Sequence, residues 1–390
     1  MSPTRIMTAE SVTAGHADKL CDLIADAILD AILASDRYAR VSCEATVTTG
    51  LVVVTGQITT KCYVDIAQVV RRTIAAVGYD DPALGFDHNS CAVMVMLEEQ
   101  SQEVAVGVDR KGAGDQGVVV GYATDEGSEL PADMHLMPVP AFLANRLAER
   151  LTAVRTEGRL TDIYPDGKVQ VSVRYEGGAP AGLSHVVVSA HHRKDTDLDE
   201  LRDDLRRLVI RPTLEPTGLL DEGTQILINP VGPFTEGGPR ADCGLTGRKI
   251  TVDTYGTACP HGGSSLSGKD PTKPDRSGTY GARWAAKNVV AAGLAHRCAV
   301  EIAYVIGLPR PVAVAVDTYG TGSVSDDELT KIVQATFDLS PAGIIESLDL
   351  RRPIYTATAA YGHFGRTGEN FPWERLDRVE ALRAAKGGRT

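Results

Sequence analysis

No two of the seven cysteines form a close CxxC pair, and basic residues are outnumbered, 40 against 51 acidic ones. No apolar run approaches the roughly 20 residues that a membrane span needs. Each absence removes a class of protein. Cys21, Cys43, Cys62, Cys91, Cys243, Cys259 and Cys298 are odd in number and scattered, which argues against a zinc knuckle or a disulfide scaffold and favours a reducing compartment. The opening segment, MSPTRIMTAESVTAGHADK, lacks the apolar stretch of a secretory signal, so the expected address is the cytoplasm, with no membrane partner. A net charge of -11 makes nucleic acid an unexpected partner, because phosphate backbones select basic surfaces. Phosphate chemistry in this chain has to use a local basic cluster.

What is present suffices for a large core: 390 residues, 43% of them hydrophobic, a length that suits two or three domains. From Ala17 to Ala34, Leu20, Ile24, Ala27, Ile28 and Ala31 recur at three- and four-residue intervals. Asp18, Asp22, Asp26 and Asp30 fall on another face, which predicts an amphipathic helix. Strands are expected over 41–49, 51–59 and 91–97, with a helix over 64–77 between the last two. A second block opens at the glycine-rich 112–117 and continues through a helix over 141–154, strands over 169–175 and 185–189, and a charged helix over 198–210 closed by Pro212. A third begins near Asn229-Pro230. It holds a long irregular stretch, 253–276, then a helix over 277–292 and strands over 299–306 and 312–317. Strands outlast any regular βαβ alternation, so the fold class is α+β in three units. No short repeat is visible.

Residues 247–280, GRKITVDTYGTACPHGGSSLSGKDPTKPDRSGTY, gather Arg248, Lys249, His261, Lys269, Lys273 and Arg276 among glycines. Glycines let backbone N–H groups approach an anion and cations neutralise it, which is what holding a polyphosphate requires. Gly263 to Lys269 also fits GxxxxGK. Asp270, however, stands where a Walker loop needs Ser or Thr, and Pro271 and Pro274 stand against the helix that should follow. A second cluster, GHADK, places His16, Asp18 and Lys19 at a helix start, where His and Lys can meet phosphate oxygens and Asp can carry Mg²⁺. In isolation His16 also reads as a cap and Asp18 as a first-turn acid. Asp275 is either the N-cap of the helix expected at Ser277 or a metal ligand. Asp166 and Lys168, in YPDGK, look first like a turn. His191-His192 reads as structural or solvated.

Together these residues resemble the methionine adenosyltransferase (S-adenosylmethionine synthetase) family, from about Met7 to Glu374. The stretches that carry the resemblance are GAGDQGVVVGY at 112–122, DCGLTGRKITVDTYG at 242–256, SGKDPTKPDRS at 267–277 and AAYGHFGR at 359–366. The resemblance implies three α+β domains of related topology, each a mixed sheet with helices on one face, over 1–103, 112–230 and 231–378. It implies a homodimer with active sites shared between subunits, and leaves open whether dimers pair into a homotetramer. The substrates would be ATP and methionine. His16, Asp166, Lys168, Phe234, Asp242, Arg248, Lys249, Ser265 and Lys269 would face ATP, with His16, Lys168, Arg248, Lys249 and Lys269 catalytic. Gln57, Gln100, Asp242 and Lys273 would face methionine. Asp18 and Asp275 would hold Mg²⁺, and Glu44 K⁺.

Several positions depart from the family pattern. Ala14 and Ala17 replace a Glu and a Pro, which alters loop stiffness more than chemistry. Ser264, Ser265 and Leu266 replace Gly, Ala and Phe, and Pro233 replaces an Arg, removing one cation. Gln57 stands where the family carries Glu. A neutral amide lacks the charge-assisted bond a carboxylate makes to an ammonium, worth about 1.5–3 kcal/mol, so weaker methionine binding is expected. The segment between Gln100 and Gly112, a mobile cover in the family, is short. Three readings follow: a working transferase, specialised for an altered substrate or not; a nucleotide-binding partner subunit without activity; and an unrelated ATP-dependent phosphotransferase, which would yield ADP. Retention of His16, Asp18, Lys269 and Asp275 favours the first.

Overall fold

A computed structural model describes residues 5–100 and 112–387; the expected short cover between Gln100 and Gly112 lies outside them. Alternating apolar residues build the strands. In β2 (Arg40–Thr48) Val41, Cys43, Ala45 and Val47 are buried while Glu44 and Thr48 face outward, the period-two pattern of a sheet with one covered face. It pairs antiparallel with β3 (Leu51–Thr59), which runs parallel to β4 (Ala92–Glu98).

There are three sheets among the described residues, and each borrows a strand from another sequence block. β1 (Arg5–Val12) joins β6 (Ile163–Glu176), β7 (Ala179–His192) and β8 (Gln225–Ile228) in the order β1-β6-β7-β8. β5 (Gly117–Thr124) pairs with β10 (Arg297–Tyr304), which pairs with β11 (Ala313–Asp317). The two-residue β9 (Gly244–Leu245) completes β4-β3-β2-β9. Two sheets are mixed through the parallel pairs β3–β4 and β7–β8; in the third the parallel component is the single bridge Ala113–Ile306.

Helices cover one face of each sheet. α1 (Ala17–Leu33) and α2 (Ile66–Val77) pack together, with α1 on β2. α3 (Val139–Thr156) lies on β1 and β6. The charged helix does not stop at Pro212: α4 (Leu198–Leu205) passes into a π-helical turn, Arg206–Ile210, and a further turn, Arg211–Leu214. Pro212 lies within this continuous helix and cannot donate to the Leu208 carbonyl four residues back; the Arg150 guanidinium bonds that carbonyl instead, at 3.0 Å. Helix α5 (Pro274–Ala291) starts at Pro274 rather than Ser277, so the proline opens the helix it was expected to bar. α6 (Asp326–Thr336), α7 (Pro341–Ser347) and α8 (Val379–Gly387) complete the chain. No helix among the described residues is long and apolar enough to cross a membrane.

Candidate functional site

The site begins at the N-terminus of α1. His16 is its N-cap, and the imidazole Nδ1 accepts the Asp18 N–H at 3.2 Å. With Nδ1 occupied as an acceptor, the proton of the neutral ring is on Nε2. Burial holds the His16 pKa below its ordinary value; Lys249 and Lys168 push the same way, against Asp166 and Asp18. The residue is thus a neutral N–H donor near pH 7, on a helix terminus that favours anions.

The turn before it is pressed on the start of β6. A side chain at Gly15 would put its Cβ 2.3 Å from Pro165, so only glycine allows the approach. YPDGK is therefore no turn. It is the irregular first part of β6, with a register shift between Ile163 and Gly167, and it brings Asp166 and Lys168 toward His16. The Asp166 carboxylate accepts the Gly238 N–H at 2.7 Å. Lys168, half-exposed, pairs with Glu10 of β1 at 2.7 Å, a partner the sequence did not suggest.

β9 delivers the next two cations. Its pairing with β2 sets the following loop beside α1, where Lys249 Nζ lies 2.6 Å and Arg248 Nη1 3.5 Å from the buried Asp18 carboxylate. Burial pushes the Asp18 pKa up, but the bonds from Lys249 and the Leu245 N–H bring it below the ordinary range. Asp242 is exposed, two residues before β9. Phe234 packs its ring against His191, 5.3 Å between centroids, and His191 in turn meets Tyr164. Both His191 and His192 are buried. His191 lines a cleft of about 310 Å³ with Tyr164, Thr235 and Gly237, and the Phe234 N–H donates to His192 Nε2.

A second group gathers at the glycine-rich loop. Gly268 (φ +80°) has no room for a Cβ against the Cys43 carbonyl, and its closeness lets Lys269 bridge to Ser42 of β2. Lys269 Nζ pairs with Asp275 at 2.9 Å. Asp275 is not a cap: Lys273 holds that position, and Asp275 sits in the first turn of α5. Lys273 is buried with its ammonium on Asp270, the residue in the Walker serine's place. Ser42 also faces Gln57, which faces Glu98, so Gln57 and Lys269 flank the same residue. Gln57 and Glu44 are exposed, and the Gln100 N–H donates to Thr59. Ser265 lies between the groups, where a Cβ on Gly247 would come within 2.5 Å of its own. Asp26 accepts the Gly268 N–H and lies eight residues from Asp18, about 12 Å along the helix axis at 1.5 Å per residue. The two groups thus occupy different stretches of α1.

Sequence reasoning missed how α1 faces inward. Asp22 and Asp26 are fully buried with Lys19, whereas the acidic stripe had the appearance of a solvent face. Their four-residue spacing was the available signal.

Three α+β domains here place clustered cations and single carboxylates around one helix, the kind of setting that holding a polyanion requires. Sequence profiles identify the family. Those of the S-adenosylmethionine synthetase N-terminal, central and C-terminal domains match residues 4–102, 110–234 and 236–375. The S-adenosylmethionine synthase of Desulforudis audaxviator is 54% identical over 397 aligned positions, covering 98% of this chain and 99% of that protein. The S-adenosylmethionine synthase of Thermus thermophilus is 55% identical over 402, covering 99% and 100%. The chain belongs to the S-adenosylmethionine synthetase family.

Proposed function

We propose that the chain transfers the adenosyl group of ATP to the sulfur of L-methionine, or of a close analogue, giving S-adenosylmethionine and triphosphate that is then hydrolysed to pyrophosphate and phosphate. The observation that carries this reading is the convergence of a neutral imidazole N–H, Arg248 and Lys249 at the N-terminus of α1. In the reaction a bond forms from sulfur to the ribose C5′ as the bond from C5′ to the triphosphate oxygen breaks. A thioether is a neutral nucleophile and needs no base, so catalysis rests on alignment and on stabilising charge at the leaving oxygen. His16 Nε2–H donates to that oxygen. Lys168, Arg248, Lys249 and Lys269 neutralise the triphosphate. Asp166, Phe234, Asp242 and Ser265 face the nucleoside; Gln57, Gln100, Asp242 and Lys273 face methionine.

Among the described residues no three metal-ligating side chains gather, but Asp18 and Asp275 each offer one carboxylate beside lysines. That donor set fits Mg²⁺, which binds through one or two carboxylates plus substrate phosphates; bound there, it would offset triphosphate charge. Glu44, an exposed carboxylate on β2, is the K⁺ ligand in this reading. The chain acts as a homodimer in the cytoplasm. What supports the dimer is a set of outward sheet positions as exposed as Met94 (50%) and Met96 (62%).

The test is incubation with ATP, Mg²⁺, K⁺ and either methionine or a panel of analogues, with products identified by mass spectrometry. A sulfonium product with pyrophosphate and phosphate is expected. ADP, or no product from any of them, overturns the reading.

A further inference from the structure

α1 carries an aspartate at every fourth position, and each accepts backbone N–H groups from a distant segment. Asp18 takes Leu245 (3.0 Å), Asp22 takes Gly247 (2.9 Å), Asp26 takes Gly268 (2.8 Å), and Asp30 takes Tyr355 (3.0 Å) and Thr356 (2.8 Å). Carboxylate acceptors make short, charge-assisted bonds, so each contact fixes a loop more firmly than a neutral acceptor does.

Two of the four contacts bear on the cationic loops while leaving the aspartate itself closed off from a ligand. Asp22 is fully buried. Its second oxygen receives Lys19 Nζ at 2.8 Å, and Lys19, also fully buried, reaches on to Asp253. Asp253 follows Lys249 by four residues, and its own N–H bonds back to the Lys249 carbonyl at 2.9 Å. The segment from Leu245 to Asp253 is thus tied to α1 at 245, 247 and 253, with Arg248 and Lys249 in the tied span. Asp26, fully buried too, holds Gly268 on one side and both terminal nitrogens of Arg276 on the other (2.6 and 3.0 Å). Arg276 returns a bond to the Lys269 carbonyl at 3.2 Å.

We propose that Asp22 and Asp26 are positioning residues, which use α1 as a ruler to set the Arg248–Lys249 loop and the Lys269 loop at a fixed spacing. The inference rests on the reading that these cations hold the triphosphate. A helix suits this task because its rise per residue is fixed, so carboxylates four apart place two loops about 6 Å apart along one axis. Asp30 is the internal contrast: it makes the same kind of bond, but to Tyr355 and Thr356, which carry no cation.

The experiment compares Asp22→Ala, Asp22→Asn, Asp30→Ala and Lys249→Met, alone and with Asp22→Ala added to Lys249→Met, in the full-length protein. Turnover with ATP and methionine and hydrolysis of inorganic tripolyphosphate are both followed. Asp22→Ala is expected to lower kcat about 10- to 100-fold, the scale of loss from small misplacement, and to raise the KM for tripolyphosphate but not for methionine. Asp22→Asn, which retains an acceptor for the Gly247 N–H, recovers most of that loss. Asp30→Ala lowers Tm and leaves both kinetic constants near wild type. In the Lys249→Met background Asp22→Ala costs little more, because the two act through one loop. Should Asp22→Ala not accumulate, Asp22→Ser replaces it, its hydroxyl falling one bond short of Gly247. Full additivity with Lys249→Met, or a change in Tm alone, overturns the inference. If Lys249→Met itself leaves turnover and tripolyphosphate hydrolysis intact, the reading of the site fails instead.

Discussion

Two clusters in this molecule have the same composition, one carboxylate with one arginine and one lysine, and opposite settings. Glu374 binds Arg283 at 3.0 Å and Lys287 at 2.6 Å, with the cations 0% and 7% exposed. Asp18 binds Lys249 at 2.6 Å and Arg248 at 3.5 Å, with those cations 18% and 44% exposed. Arg283 uses all five of its donors inside the protein, on Glu374 and on the carbonyls of Tyr122, His135 and Leu136. Arg248 donates to the Cys243 carbonyl and otherwise leans on Asp18. Identical charges therefore do different work. Where every donor is satisfied and water excluded, the cluster ties α5 to the 365–374 segment; where the cations stay reachable, they are available to an anion.

The comparison is broken most directly by Glu374→Ala. It strands two buried cations and is expected to lower stability by about 3–5 kcal/mol, read from the urea midpoint; a loss near zero would mean that the closed cluster is not structural. At the open cluster, His16→Ala is expected to slow turnover about 10²- to 10³-fold while ATP binding changes far less. Unchanged turnover removes His16 from the leaving oxygen. Gln57→Glu, beside the Lys269 group, is expected to lower the methionine KM by about 10-fold or more, from the 1.5–3 kcal/mol of a charge-assisted bond; an unmoved KM removes the specificity reading.

Acidification separates the two clusters further. Burial raises the Glu374 pKa, but Arg283 and Lys287 bring it below the ordinary glutamate value. The unfolded chain then binds the proton more readily, so the stabilisation is fully present above the unfolded pKa of about 4.3 and is lost as pH falls through the lower folded value. The urea-midpoint gap between wild type and Glu374→Gln should close over that acid window. His16 is also depressed. The ring is therefore neutral above about 6.5, the ordinary histidine value, and turnover measured above that pH should show no step from His16. The smallest effect on stability, read from the urea midpoint, is expected from Lys168→Met, whose exposed pair with Glu10 is worth about 1 kcal/mol or less.

Local pattern reached far into this fold. The spacing of Leu20, Ile24, Ile28 and Ala31 places α1 within a residue of its observed end, and the alternation through 41–59 matches β2 and β3 closely. It failed where a partner distant in sequence decides the outcome. YPDGK has turn chemistry, yet β1 and β7 recruit it to a strand. Pro212 and Pro274 have breaker chemistry, yet the helix continues past the first and begins at the second. Asp22 and Asp26 resemble a wet face, yet loops more than 200 residues away bury them, as the Gly247 and Gly268 contacts at separations of 225 and 242 show.

By itself the sequence determined the residue types a polyphosphate needs, the periodicities of most helices and strands, and the motifs that mark the family. Those properties reside in side chains and in neighbours a few positions apart. Only the tertiary structure decided that each sheet borrows a strand, that a stripe of aspartates faces inward, and that one set of cations is sealed while its twin stays open. These depend on which distant backbone groups arrive to satisfy a buried charge, and nothing within one helical turn of sequence specifies that.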